Sequence, residues 1–210
     1  MSFISKIGDN VTSAVVTGLS ADAQLRTPCG ERRVENIRPG DLIVTRGGGL
    51  QPVRMVWTRT LTLAERQEDP SCVPVCLGPR VVGPMMPQRS LTLAPDHRIL
   101  VPAHLLSDVG GQGGLMMARD LVGLSDKAHL DRTTDDITLY NIVFDGPQVV
   151  MASGLPVETF HVSPDHLAAV PETGRSEIMR LFPAARGKGA PVAPLPYPAV
   201  EADDYAPAFA

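Results

Sequence analysis

The chain has few cysteines, few aromatics and no long apolar run, and each shortage closes off a class of protein. Three cysteines among 210 residues cannot complete a disulfide framework. Cys72 and Cys76 stand four apart in a predicted strand, on one face but roughly 13 Å apart, too far to bond. There is no Cys-x-x-Cys pair, so a cysteine zinc site is not expected. The histidines, His97, His104, His129, His161 and His166, show no His-x-x-x-His spacing. No metal and no cofactor is therefore expected. No apolar run reaches the roughly 18 residues that a membrane-spanning helix needs. Asp9 and Asn10 interrupt the N-terminal segment where a secretory leader requires an apolar core, so a cytoplasmic chain is expected, with export by another route left open. Basic residues are outnumbered, 19 against 23 acidic, for a net charge of −4, which leaves no electrostatic footprint for nucleic acid.

What is present is globular: 43% hydrophobic and 20% charged residues suit one domain with a core, plus tails. Phe3, Ile4, Ile7, Val11 and Val15 fall at helical spacing and predict a short amphipathic helix over 2–16 that docks on its own domain or a partner. From Gln24 the texture becomes β. Short runs at 24–26, 33–34, 42–44, 53–63, 73–77, 91–93, 99–101, 137–144 and 148–152 alternate with turns such as Thr27-Pro28-Cys29-Gly30, Arg38-Pro39-Gly40-Asp41 and Ala94-Pro95-Asp96-His97. In these turns Pro presets φ and Gly accepts positive φ. Many short strands at this spacing predict an all-β architecture. Leu115–Val122 reads as one or two helical turns. The glycines at 110–114 follow no strand and lead to no Lys-Ser/Thr, which makes a loop rather than a phosphate cradle. Ser163-Pro164-Asp165 reads as a turn that starts a helix at His166, and Ser176–Phe182 as a short helix. Beyond Pro183, Pro and Ala dominate. That composition predicts an extended or solvated tail, alternatively a docking strip offering Tyr197, Tyr205 and Phe209 to a partner.

Four blocks in order carry a family resemblance. Val34-Glu35, Ile37, Gly40-Asp41, Ile43 and Thr45 resemble the opening string of bacterial Hint (Hedgehog/intein) domains. Gly48-Gly49-Leu50-Gln51-Pro52-Val53-Arg54 resembles the G-x-x-P-V-R of their proteobacterial branch. Leu93-Ala94-Pro95-Asp96-His97-Arg98-Ile99-Leu100-Val101 is similar to the second signature, which reads V-[TS]-P-x-H-x-x-L-V. Residues 139–145 and 149–160 look like the closing pair of strands. The resemblance spans about 140 residues. It implies an all-β Hint fold of many short strands in a pseudo-symmetric, horseshoe-like arrangement with short flanking helices. It also implies an organisation of N-terminal helix (1–17), Hint domain (18–161), helical extension (162–182) and Pro/Ala-rich tail (183–210).

The family's reaction needs a thiol or hydroxyl on the first residue of the module, which attacks the preceding carbonyl in an N-to-S or N-to-O acyl shift. A histidine supplies the proton to the leaving amide. Aligned on that plan, Gly18 fills the nucleophile position and has no side chain. Ala94 replaces the threonine of the T-x-x-H motif, and His97 keeps the histidine. Asn141 and Pro147 stand where relatives often carry histidine. The resemblance thus implies a Hint-fold chain that no longer cuts itself and acts as a binding or scaffolding module, with a protein partner engaged through the N-terminal helix or the tail. Two alternatives remain open at this level. A displaced nucleophile, Ser20 or Cys29, working with His97 would keep autoproteolysis alive. An ordinary hydrolase would use His97 with Asp96.

Overall fold

The computed structural model describes residues 15–107, 111–183 and 194–206. The predicted N-terminal helix lies outside the described residues as far as residue 14. Val15 and Val16 do not continue a helix. Val16 is instead buried with Leu61, Cys72, Ala94, Ile137 and Leu139, which places the start of the packed module before residue 18.

Two antiparallel sheets make up the body. The six-stranded sheet contains β1 (Leu19–Ser20), β6 (Met55–Leu61), β7 (Val75–Leu77), β8 (Leu91–Leu93), β11 (Ala128–Leu130) and β12 (Ile137–Val143), in the order β11-β7-β8-β1-β12-β6. The other sheet contains β2 (Gln24–Thr27), β3 (Gly30–Arg33), β9 (Arg98–Val101), β10 (Gly114–Met117), β13 (Val149–Ala152) and β14 (Leu155–Glu158), in the order β10-β9-β14-β13-β2-β3. The hairpin β4 (Leu42–Thr45)–β5 (Gly49–Pro52) joins it through β13. Alternation along the strands sets which side chains face inward. In β6, Met55, Trp57 and Leu61 are buried while Thr58 and Thr60 face solvent. One large apolar cluster, including Leu25, Ile43, Leu93, Ile99 and Val157, runs under both sheets.

The expected strands are present with their ends shifted. Those at 53–63, 73–77, 137–144 and 148–152 are shorter, and those at 24–26, 42–44 and 99–101 are one residue longer. The one expected at 33–34 lies at Gly30–Arg33, with Val34 in a 3-10 turn. Leu115–Val122 differs from expectation: its first half is β10, held against β9 from Gly114↔Val101 to Met117↔Arg98, and only Ala118–Leu121 forms a tight 3-10 turn. Cys72 closes a 3-10 turn before β7 rather than sharing a strand with Cys76. Helix α1 (Leu63–Glu68) follows β6. Ser163 caps the helix α2 (Pro164–Ala169) by accepting from the His166 amide, with Pro164 at the first turn. Helix α3 (Glu172–Leu181) follows. Both helices close over Met55, Trp57, Val143 and Phe160 through Leu167, Val170 and Ile178. The helical extension expected over 162–182 therefore packs on the β body through a cluster of its own.

The solvated tail needs a larger correction. Residues 194–206 lie on the body. Val200 is buried in the main core cluster, and Leu195 and Tyr197 cover Leu100, Leu115 and Val149. A Pro/Ala-rich segment cannot build a core of its own, but here it borrows one. Of the residues expected to meet a partner, Tyr197 and Tyr205 rest on this chain, and Phe209 lies outside the described residues.

Because Ile178 is fully buried against the Trp57 cluster, Ile178→Ala is expected to cost about 2–4 kcal/mol of global stability. Urea unfolding followed by fluorescence of Trp57, the single tryptophan, checks this. An unchanged midpoint would mean that α3 is dispensable to the core.

Candidate functional site

β1 is only two residues long, yet it sits between β8 and β12, with Leu19 opposite both Leu93 and Tyr140. The chain entering β1 is therefore threaded through the middle of the six-stranded sheet. It is gripped there by groups from two directions.

From the β8–β9 turn, the Asp96 carboxylate accepts from the Val16 amide at 2.7 Å, and the Asp96 amide donates to the Val16 carbonyl at 3.2 Å. The Ala94 amide donates to the Gly18 carbonyl at 2.9 Å. The Gly18 amide donates to His97 Nδ1 at 3.1 Å in a buried setting. From β12, buried Asn141 completes the grip. Its Nδ2 donates to the Thr17 carbonyl at 3.0 Å, and its Oδ1 accepts from the Thr17 hydroxyl at 2.8 Å. The peptide bond between Thr17 and Gly18 thus has a side-chain partner on its N–H and another on its C=O.

Gly18 itself has φ +131°, a backbone conformation that side-chain-bearing residues rarely adopt. A Cβ built there would stand 2.8 Å from Leu139 Cβ and 2.9 Å from Asn141 Nδ2. Both contacts are closer than real Cβ atoms approach.

His97 is fully enclosed. Burial is the main reason its pKa falls to about 3, with the positive fields of His166 and Arg98 adding to the shift and the Glu158 backbone opposing it. The ring is neutral at ordinary pH. Since Nδ1 accepts from Gly18, the hydrogen-bond network assigns the ring proton to Nε2, which has no well-aligned partner among the described residues. Around it lies a cluster that sequence spacing did not reveal. Arg98 pairs with buried Glu158 at 3.2 Å, and burial raises the Glu158 pKa against the pull of Arg98 and His161. The His161 and His166 rings lie 5.8 Å apart. His166 Nδ1 meets the Ser163 hydroxyl at 2.6 Å, and burial lowers its pKa to about 4. Among the described residues no group of His, Cys, Asp and Glu has the geometry to hold a metal ion.

The other sequence-derived candidates fall apart from His97. Ser20 is buried on β1, and its hydroxyl donates to Asp22 at 2.6 Å. Cys29 is exposed in the turn between β2 and β3 of the other sheet. Asp96 does not orient the imidazole; its carboxylate holds the Val16 amide and forms an ion pair with Arg119. Sequence reasoning assigned no role to Thr17, Glu158 or Arg98. The pairing of Arg98 with Glu158 crosses 60 positions, which leaves no local signal.

The family model of the Hint domain matches residues 17–164. The chain belongs to the Hint domain family. Among solved structures, it is similar to the gp41-1 intein, at 14% identity over 67% of this chain and 97% of that one, with a TM-score of 0.41. The bacterial intein-like domain from Clostridium thermocellum is 15% identical over 70% and 98% of the two chains, with a TM-score of 0.41. The DnaB intein from Synechocystis sp. PCC 6803 is 14% identical over 69% and 99%, with a TM-score of 0.44. Comparison with curated proteins finds no match. The all-β fold read from the four sequence blocks is thus the fold of this Hint module. No helix among the described residues is long and apolar enough to cross a membrane.

The buried imidazoles make acid stability a direct readout of the site. A histidine whose pKa is depressed in the folded state binds fewer protons than in the unfolded state, whose value is 6.5. The stability it contributes is full above pH 6.5 and is lost as pH falls towards the folded value. Between 6.5 and about 4, where His166 begins to charge, both rings contribute. Together they add a slope approaching about 2.7 kcal/mol per pH unit. In pH-dependent urea unfolding, His97→Gln and His166→Gln are each expected to remove about one proton from this slope. If neither variant changes the slope, the rings are not held neutral.

Proposed function

We propose that this Hint module keeps its Thr17–Gly18 bond intact and works as a binding or scaffolding module rather than as a self-cleaving one. The observation that carries this reading is Gly18: it stands at the nucleophile position with no side chain, at φ +131°, with Leu139 and Asn141 filling the space a Cβ would need. The thiol or hydroxyl of the family reaction is missing, and so is the room for one.

The state of His97 supports the same reading. A general acid works best with a pKa near the operating pH, and burial holds this imidazole near 3. At neutral pH it accepts a hydrogen bond from the Gly18 amide and has no proton on Nδ1 to give. Asn141 and Asp96 grip the same segment from the carbonyl side and from one residue upstream. The arrangement suits retention of whatever precedes Gly18. A displaced nucleophile has less support, since the Ser20 hydroxyl is engaged by Asp22 and Cys29 lies in a turn of the other sheet. A hydrolase using His97 and Asp96 lacks the bond between them that such a pair requires. The excess of 23 acidic over 19 basic residues favours a protein partner over a nucleic acid.

Intact mass of the freshly purified chain, with and without incubation in thiol and in hydroxylamine, tests the reading. The mass is expected to stay at 22.4 kDa under all three conditions. Loss of an N-terminal fragment would sink the proposal, and the new first residue would name the nucleophile. Gly18→Cys is expected to lower stability by roughly 2 kcal/mol or more through strain and overlap, and to release nothing. A fragment ending at Thr17 from that variant would mean a working site that lacks only its thiol.

A further inference from the structure

The segment 194–206 is bound to the body as a ligand is bound to a receptor. β10 is the outer strand of its sheet, so one row of its backbone groups is open to pairing. Residues 198–200 take that row. The Leu115 amide donates to the Pro198 carbonyl at 2.8 Å and the Val200 amide donates to the Leu115 carbonyl at 3.0 Å, in a parallel bridge of Leu115 with Ala199. A specific hole fixes the register. Gly114 has no side chain, and a Cβ built on it would overlap both methyl carbons of Val200. Further along, the Ser107 amide donates to the Asp204 carbonyl and the Ala206 amide to the Leu105 carbonyl, both at 2.8 Å. At the near end, Arg46 Nε donates to the Tyr197 hydroxyl at 3.2 Å. Edge pairing plus one side-chain hole is the recognition mode of strand-addition complexes.

We propose that this segment is a transferable strand, and that the β10 edge with its Gly114 hole accepts the same segment from a second copy of this chain. The occupant is identified by what already fills the groove. A second copy brings an identical Pro198-Ala199-Val200, so every contact within the segment's footprint is reproduced between copies without any new surface. Ten residues, 184–193, connect Pro183 to Pro194. Cut free of that connection, the segment would have the same partners. Mutual exchange closes a two-fold pair in which each copy's segment lies on the other's edge. Within one chain the segment has an effective concentration on the order of millimolar, so the single-chain form dominates when dilute.

Two full-length variants separate the halves of the contact. Val200→Asp disables the segment but leaves the groove. Gly114→Val fills the groove but leaves the segment. Each alone is expected to sediment as a single copy. Mixed at about 100 µM, they are expected to form a one-to-one pair of twice the single-chain mass, since an exchange contact of this kind works in trans once competition in cis is gone. No pair at that concentration, with both variants folded by circular dichroism and Trp57 fluorescence, overturns the proposal. Should a variant fail to fold, a labelled peptide of residues 194–206 is titrated instead into a full-length Val200→Ala chain, whose own segment no longer fills the Gly114 hole and so competes weakly. Saturable binding that weakens at least tenfold when the peptide carries Val200→Asp supports the exchange, and equal binding of the two peptides overturns it.

Discussion

Threading of residues 16–18 through the six-stranded sheet is the constraint on which the site depends. β1 contributes two residues of pairing and stands between its neighbours, meeting β8 through Leu19 and β12 through Leu19 and Ser20. A strand so short cannot be held by its own ladder. Asp96, His97 and Asn141 act as lateral partners in place of the missing bonds. Those three side chains come from the β8–β9 turn and from β12, so the turn, the central strand and the entering chain are fixed together. The positive φ at Gly18 follows from this geometry. The chain must present its amide to His97 and its preceding carbonyl to Asn141, and Leu139 leaves no room for a side chain in that pose.

The imidazole at the centre is shaped by burial more than by charge. It has no carboxylate partner. Glu158, whose backbone lies beside the ring, has its carboxylate paired with Arg98. Without a compensating anion, a fully buried ring stays neutral, and a neutral ring can accept from a backbone amide. The same burial that suits the grip on Gly18 disfavours the protonated form that acid catalysis draws on. The absent side chain at residue 18 and the lowered basicity of His97 are two properties of one enclosed space, and the proposal that the bond is retained rests on both.

Strands with β-branched or alternating apolar residues were legible in the sequence: Leu42–Thr45, Met55–Leu61, Leu91–Leu93 and Ile137–Val143 all announce themselves. The strands that escaped lack that texture. β10 is Gly-Leu-Met-Met and β11 is Ala-His-Leu, while β14, which contains Pro156, reads in the sequence as one strand with β13. Their strand conformation comes from pairing with neighbouring strands rather than from their own propensity. At the site, the family resemblance singled out Gly18 and His97, and marked Asn141 only as a departure from the histidine that relatives often carry. What those residues touch was not legible. Asp96 looked like a hydrolytic partner of His97 and proved to hold the Val16 amide, because the turn aims its carboxylate at the entering chain. Glu158, His161 and His166 assemble beside His97 only when β14 and α2 fold back, and no spacing records that.

The tail departs from expectation for a reason that is general. Proline content argues that a segment cannot make its own ladder, since each proline lacks a donor. It says little about docking on an edge that already exists. In the parallel bridge at Leu115, residue 198 is asked only for a carbonyl and residue 200 only for an amide. Pro198 therefore loses nothing there, and its fixed φ reduces the freedom given up on docking. Residues 199–203 of the docked segment also line a cavity of about 450 Å³, together with Arg98 and Arg119. Those two guanidinium groups reach inward to Glu158 beside His97 and to Asp96 beside Val16. The outermost element of the sheet and the innermost grip on the chain are thus one arginine apart. Arg98 is the more enclosed of the two, 19% exposed against 46% for Arg119, so lifting the segment away would bring water chiefly to the Arg98–Glu158 pair, where a higher local dielectric weakens the attraction.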